Sequence, residues 1–121
     1  MTPEEEVRQH FIRFLIEEKS FPSSLMVIER SLTINGNRFR ADLVVCTKQG
    51  TPMLVAEFKA PSVKISQDAF DQIARYNMQF RVPFLIVSNG LEHYCCKIDF
   101  LAETYSFLKE IPTFEETNAL R

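Results

Sequence analysis

The sequence predicts a mixed α/β (α+β) fold, a sheet of about five strands with helices against it in the order α-β-β-β-α-β-β. Three observations carry this. Two turn signals, Asn35-Gly36 and Gln49-Gly50, separate three runs that alternate or stay apolar, Leu25 to Ile34, Phe39 to Thr47 and Met53 to Phe58. Such runs read as a three-strand meander. A helical pattern that starts at Ser66 follows, and after it comes Pro83-Phe-Leu-Ile-Val-Ser88, a continuous apolar run of the kind that fills a buried central strand.

The first helix opens at Thr2-Pro3-Glu4-Glu5-Glu6. Threonine caps, proline suits the first turn, and acids suit the positive end of the helix dipole. Val7, Phe11, Phe14 and Leu15 form its apolar stripe, widened by Ile12 and Ile16, and it should end near Lys19. Glu4, Glu5 and Arg8 fall within or beside that stripe, whereas Glu6 points away. Ala60-Pro61 ends the third strand, because proline cannot continue a ladder. In the second helix Ala69, Phe70, Ile73, Asn77 and Phe80 share a face, and Gln72 and Tyr76, four apart, lie together on its flank. Asn89-Gly90 turns the chain into a fifth strand, Tyr94 to Phe100. Leu101 to Leu108 suggests a helical turn or two, and the polar tail after Ile111-Pro112 should fray. No repeat, low-complexity segment or linker interrupts the pattern, so one domain is expected over residues 1–121.

A formal net charge of −2 argues against tight, independent binding to nucleic acid, since free-standing binders are usually basic. Cys46, Cys95 and Cys96 are odd in number and lack C-x-x-C spacing, which reads as reduced thiols in a cytoplasmic protein. His10 and His93 are isolated histidines, which argues against a zinc site. No apolar run approaches a membrane span, and no Gly-x-x-x-x-Gly-Lys-Ser/Thr loop occurs, so neither a membrane protein nor an NTPase is expected.

The chemistry gathers in the second and third strands. A tight turn centred on Gln49-Gly50 sets Asp42 directly opposite Glu57. Two like charges facing across a ladder destabilise it, and a divalent cation, which takes carboxylate oxygens, offsets that. Lys59 points to the same face as Glu57, about 7 Å further along, and Arg40 faces Lys59 in the same register. A two-residue turn at Asn35-Gly36 would set Glu29 opposite Asp42, as a third acid or simply as a solvated side chain. Asp, Glu and Lys on one face are the equipment for metal-assisted attack of water on a phosphodiester.

Asp42 followed by Glu57-Phe58-Lys59 resembles the PD-(D/E)xK nuclease superfamily, with Ala41 where its proline would stand. Gln72-Ile-Ala-Arg-Tyr76 is similar to the Gln-x-x-x-Tyr motif of the branch that includes the N-terminal nuclease domain of type I restriction enzyme R (motor) subunits. Pro3-Glu-Glu-x-Val-Arg-Gln9, Arg40-Ala-Asp, Glu57-Phe-Lys-Ala-Pro61 and Pro83-Phe through Ser88-Asn-Gly90 extend the likeness over nearly the whole chain. The resemblance implies a restriction-endonuclease-like core and a Mg²⁺-dependent DNA endonuclease, with Mn²⁺ able to substitute. It implies Asp42 and Glu57 as metal ligands, Lys59 serving the attacking water, and Gln72 with Tyr76 contacting DNA or positioning the site. Glu5 would be an auxiliary acid; Arg40, by its register opposite Lys59, reads either as a phosphate contact or as a solvated side chain. The resemblance also implies a bacterial or archaeal cytoplasm and partner subunits carrying motor and specificity functions, while the charge of −2 implies weak DNA binding by the domain alone. The alternative is a non-catalytic interaction or scaffold domain on the same fold within a restriction complex.

Overall fold

The computed structural model describes residues 1–34 and 36–120, the side chains of Glu29, Arg30, Leu32, Ile34, Asn37 and Phe39 excepted. Helix α1 (Pro3–Lys19) is followed by a single 3-10 turn, then strands β1 (Met26–Ile34), β2 (Asn37–Cys46) and β3 (Pro52–Phe58). Helix α2 (Gln67–Met78) crosses to β4 (Phe84–Ser88), and β5 (His93–Asp99), β6 (Thr104–Leu108) and α3 (Phe114–Leu120) complete the order. The six strands form one sheet in sequence order, antiparallel throughout except for the β3–β4 pair that α2 connects. The mixed α+β fold is therefore as the sequence predicts, with one strand more. The turn before β2 includes Asn35, which lies outside the described residues, but the register expected for it holds from Met26 opposite Val45 to Ile34 opposite Asn37.

Two apolar cores sandwich the sheet. Val7, Phe11 and Leu15 of α1 pack with Leu43, Ala56, Phe58, Phe84 and Ile86 on one face. Phe70 and Ala74 of α2 pack with Val44, Val55, Leu85 and Val87 on the other. β4 is buried along its whole length, which is why it reads as an unbroken apolar run rather than an alternating one. Cys95 and Cys96 alternate into different cores, and burial pushes both thiols up to about 12.

The β2–β3 loop differs from the even-numbered one expected. Thr47 N–H donates to Thr51 O at 2.8 Å and encloses Lys48, Gln49 and Gly50, with Gly50 at φ +85. A loop of this odd length would put the strands one residue out of step. A bulge between Val45 and Cys46 restores the register, so Val44 meets Val55 and Leu43 meets Ala56.

Beyond β5 the expected helical turn is replaced by β6. The carboxylate of Asp99 accepts the amides of Leu101 and Ala102, a side-chain turn that sends the chain straight back along β5, and Tyr105 donates its hydroxyl to Asp71 of α2. The tail is helical rather than frayed. Thr113 Oγ1 accepts from Glu116 N while Glu116 Oε1 accepts from Thr113 N, a reciprocal capping box, and Phe114 lies edge-on to Phe21 at 5.7 Å. Ile16, assigned to the α1 stripe, is exposed, and Ala74 rather than Ala69 is the buried alanine of α2. Among the described residues no helix is long and apolar enough to cross a membrane.

Gly90 is the glycine the packing requires. Its φ is +89, and a Cβ there would lie 3.2 Å from Cγ2 of Val7. Gly90→Ala should therefore cost about 1–2 kcal/mol, from backbone strain plus the push against α1. Gly50→Ala, equally left-handed but with open space around it, should cost less. Paired urea melts of the two variants measure the difference, and equal losses would show that the contact with Val7 contributes nothing.

Candidate functional site

β2 and β3 part where the two acids stand. Their paired register ends at Leu43 and Ala56, and the amide of Phe58 donates to Asp42 Oδ2 at 2.7 Å. A side-chain acceptor there lets the strands fork without leaving a buried amide unsatisfied. β3 stays tied to its other neighbour, because Lys59 N–H donates to Ser88 O at 2.9 Å. The fork thus opens on the β2 side only.

Glu57 is half-buried beside Asp42. Burial pushes its carboxyl up to about 8, and the charge of Asp42 and a hydrogen bond with the Asp42 carboxylate add to the rise. The cations of Lys59 and Arg40 pull the other way. The Glu57 carboxyl therefore tends to keep its proton at neutral pH, through its burial and the neighbouring Asp42. Two hard oxygen donors pressed together in this way fit a divalent cation, which would relieve the same repulsion. Among the described residues no three His, Cys, Asp or Glu side chains converge; the acids are a pair. The side chain of Glu29, considered as a third acid, lies outside the described residues.

The N-terminus of α1 walls the fork. Thr2, Glu4, Glu5 and Arg8 enclose, with Asp42 and Phe58, a cleft of about 170 Å³. Glu5 has a second engagement. Thr2 Oγ1 accepts from Glu5 N at 3.2 Å and donates to Glu5 Oε1 at 3.1 Å, so Glu5 both holds the Thr2 cap of α1 and lines the cleft. Gln72 and Tyr76 are exposed on the flank of α2, Tyr76 resting edge-on against Phe80 at 5.2 Å, and the walls of this cleft do not include them.

A family model of the type I restriction enzyme R protein N terminus (HSDR_N) matches residues 3–112. The chain belongs to that family. Its fold is similar to the fragment structure of a putative HsdR subunit of a type I restriction enzyme from Vibrio vulnificus, with a TM-score of 0.67 and 18% identity. That match covers 96% of this chain and 24% of the Vibrio chain, so the chain spans about a quarter of that relative's length. It is also similar to a putative nuclease of the DUF820 group from Anabaena variabilis, with a TM-score of 0.58, 11% identity, and 100% and 77% of the two chains covered. No curated protein matches the chain.

Two features of this R-protein N terminus escape sequence reasoning. Arg8 lies on the cleft wall one turn beyond Glu4, a spacing that places both on one side of α1. His93 is not isolated: its Nδ1 is 2.7 Å from Ser88 Oγ, which also accepts the Gly90 amide at 3.0 Å. Phe11 meets its ring at 5.2 Å, and burial lowers its pKa. This group braces the end of β4 that holds Lys59. Both had a local signal: Arg8 is one helical turn from Glu4, and His93 stands opposite Ser88 across the Asn89-Gly90 turn.

Proposed function

We propose that this R-protein N terminus is a DNA endonuclease domain that hydrolyses phosphodiester bonds with a divalent cation, Mg²⁺ or Mn²⁺, held by Asp42 and Glu57. The observation that carries the reading is the hydrogen-bonded carboxyl pair at the strand fork, with the charges of Lys59 and Arg40 acting on it. A bound cation would supply an acidified water and neutralise charge on the phosphate. Asp42 and Glu57 give it oxygen ligands fixed by rigid strands, Asp42 through its bond to the Phe58 amide. Lys59, anchored through its own backbone to Ser88, presents an ammonium beside Glu57 that orients the water or meets charge developing on the phosphate. Glu5 lines the cleft with Asp42 as an auxiliary acid, and Gln72 and Tyr76 stand further out, as contacts to DNA. Delivery to DNA and choice of sequence would fall to partner subunits of a type I restriction system.

The test is plasmid nicking by the domain with Mg²⁺ or Mn²⁺ at low salt. Wild type should nick slowly and without sequence preference. Lys59→Ala should lose about 10²-fold or more of that rate, in the range for a group acting on a proton or developing charge, while keeping the metal-induced rise in melting temperature. A Lys59→Ala domain that nicks at the wild-type rate excludes the role. A wild-type domain that gains no stability from either metal and never nicks DNA leaves the interaction domain as the better reading, in keeping with a net charge of −2.

A further inference from the structure

The net charge hides an uneven distribution. Strand alternation puts Arg38 and Arg40 on the same face of β2 as Asp42, and both arginines are exposed. Across the hairpin, Arg40 pairs with Ser31 and Arg38 with Thr33, and both hydroxyl residues are exposed too. One face of the β1–β2 hairpin therefore offers guanidinium and hydroxyl groups in a row that ends at the acid pair. Arg40 is close enough to that pair for its charge to act on Glu57. The side chain of Glu29 lies outside the described residues.

We infer that this face of the hairpin, carrying Ser31, Thr33, Arg38 and Arg40, binds the phosphate backbone of duplex DNA and leads it to the Asp42–Glu57 pair. The inference rests on the nuclease reading for its direction but not for its chemistry. Arginine forks match phosphate oxygens, and serine and threonine hydroxyls donate to them. Arginines two residues apart on a strand advance by about 6.8 Å, the rise of two nucleotides at about 3.4 Å each along one strand of a duplex. The described residues of this face include no aromatic ring on which an unpaired base could stack, which favours a duplex over a single strand. A two-stranded ribbon is also slim enough to lie along a groove.

Binding is measured by anisotropy of a labelled duplex of about 30 base pairs, and of one of its strands alone, in EDTA from about 20 to 200 mM NaCl. The whole chain is used, and EDTA keeps binding apart from cleavage. Arg38→Ala should lower the slope of log affinity against log salt by about one, the share of one phosphate. Arg38→Glu should weaken duplex binding at least ~10-fold at the lowest salt. Lys109→Ala, beyond β6 at the opposite edge of the sheet, should change neither. Arg38 is exposed, so unchanged melting temperatures are expected and verify that the variants fold. Wild-type affinity and slope in both Arg38 variants overturn the hairpin contact, as does stronger binding to the single strand or no duplex binding at all. If Arg38→Ala behaves as expected while wild type never cleaves with metal, the hairpin stands and the nuclease reading fails. Cleavage with unaltered binding by the Arg38 variants gives the reverse.

Discussion

Glu57→Gln should stabilise the metal-free domain, and by more as the pH rises. The folded state holds the Glu57 proton up to about 8, whereas the unfolded chain releases it near 4.5. Below 4.5 both states keep the proton and the favourable contribution is complete. Between the two values only the folded state keeps it, so the unfolded state binds fewer protons and wild-type stability falls as pH climbs. Above about 8 both are ionised and the loss levels off. The interval caps the effect at roughly 5 kcal/mol, at about 1.4 kcal/mol per unit, and residual water at a half-buried group reduces it to about 2–3 kcal/mol. Glutamine resembles the protonated acid and does not titrate. Urea melts of both proteins in EDTA across about pH 5 to 9 isolate the contribution, because other groups cancel in the difference. A difference that stays flat over that range would falsify the coupled acid pair.

Asp42→Asn should separate the fold from the metal. Asparagine Oδ1 can still accept the Phe58 amide, and its amide can donate to Glu57, so the fork keeps both bonds. The neighbouring charge that helps raise the Glu57 pKa is gone, and the melting temperature without metal should hold or rise. What should vanish is the response to cation. A ligand at about 100 times its dissociation constant adds roughly 2.7 kcal/mol to the folded state, on the order of 10 °C for a domain of this size. Wild type should show that rise with Mg²⁺ or Mn²⁺ and the variant should not, with cleavage lost in parallel. Calorimetry that finds the variant binding either ion with wild-type affinity would place the cation elsewhere.

The sequence by itself determined the frame of the site. Thr2, Pro3 and Ser66 delimit the two long helices through local hydrogen bonds and backbone geometry, which nearby residues decide. The alternation of β2 and β3 together with Gly50 determined that Asp42 and Glu57 come together. The loop is odd in length where an even one was expected, yet the bulge at Val45 and Cys46 keeps the register, because a slip of one residue would turn Leu43 and Val45 out of their core. β6 was missed because a short edge strand gets its stability from pairing with β5, a partner that periodicity within β6 cannot reveal. The capping box at Thr113–Glu116 is a legible local motif that opens α3, where a fraying tail was expected. Only the tertiary structure decided the rest. Docking of α1 brought Glu5 and Arg8 to the cleft and left Gln72 and Tyr76 outside its walls. Pairing of β3 with β4 set Ser88, with its hairpin partner His93, behind Lys59. The proton on Glu57 depends on how much water the packed sheet excludes, and solvent exclusion belongs to the assembled core rather than to any stretch of sequence.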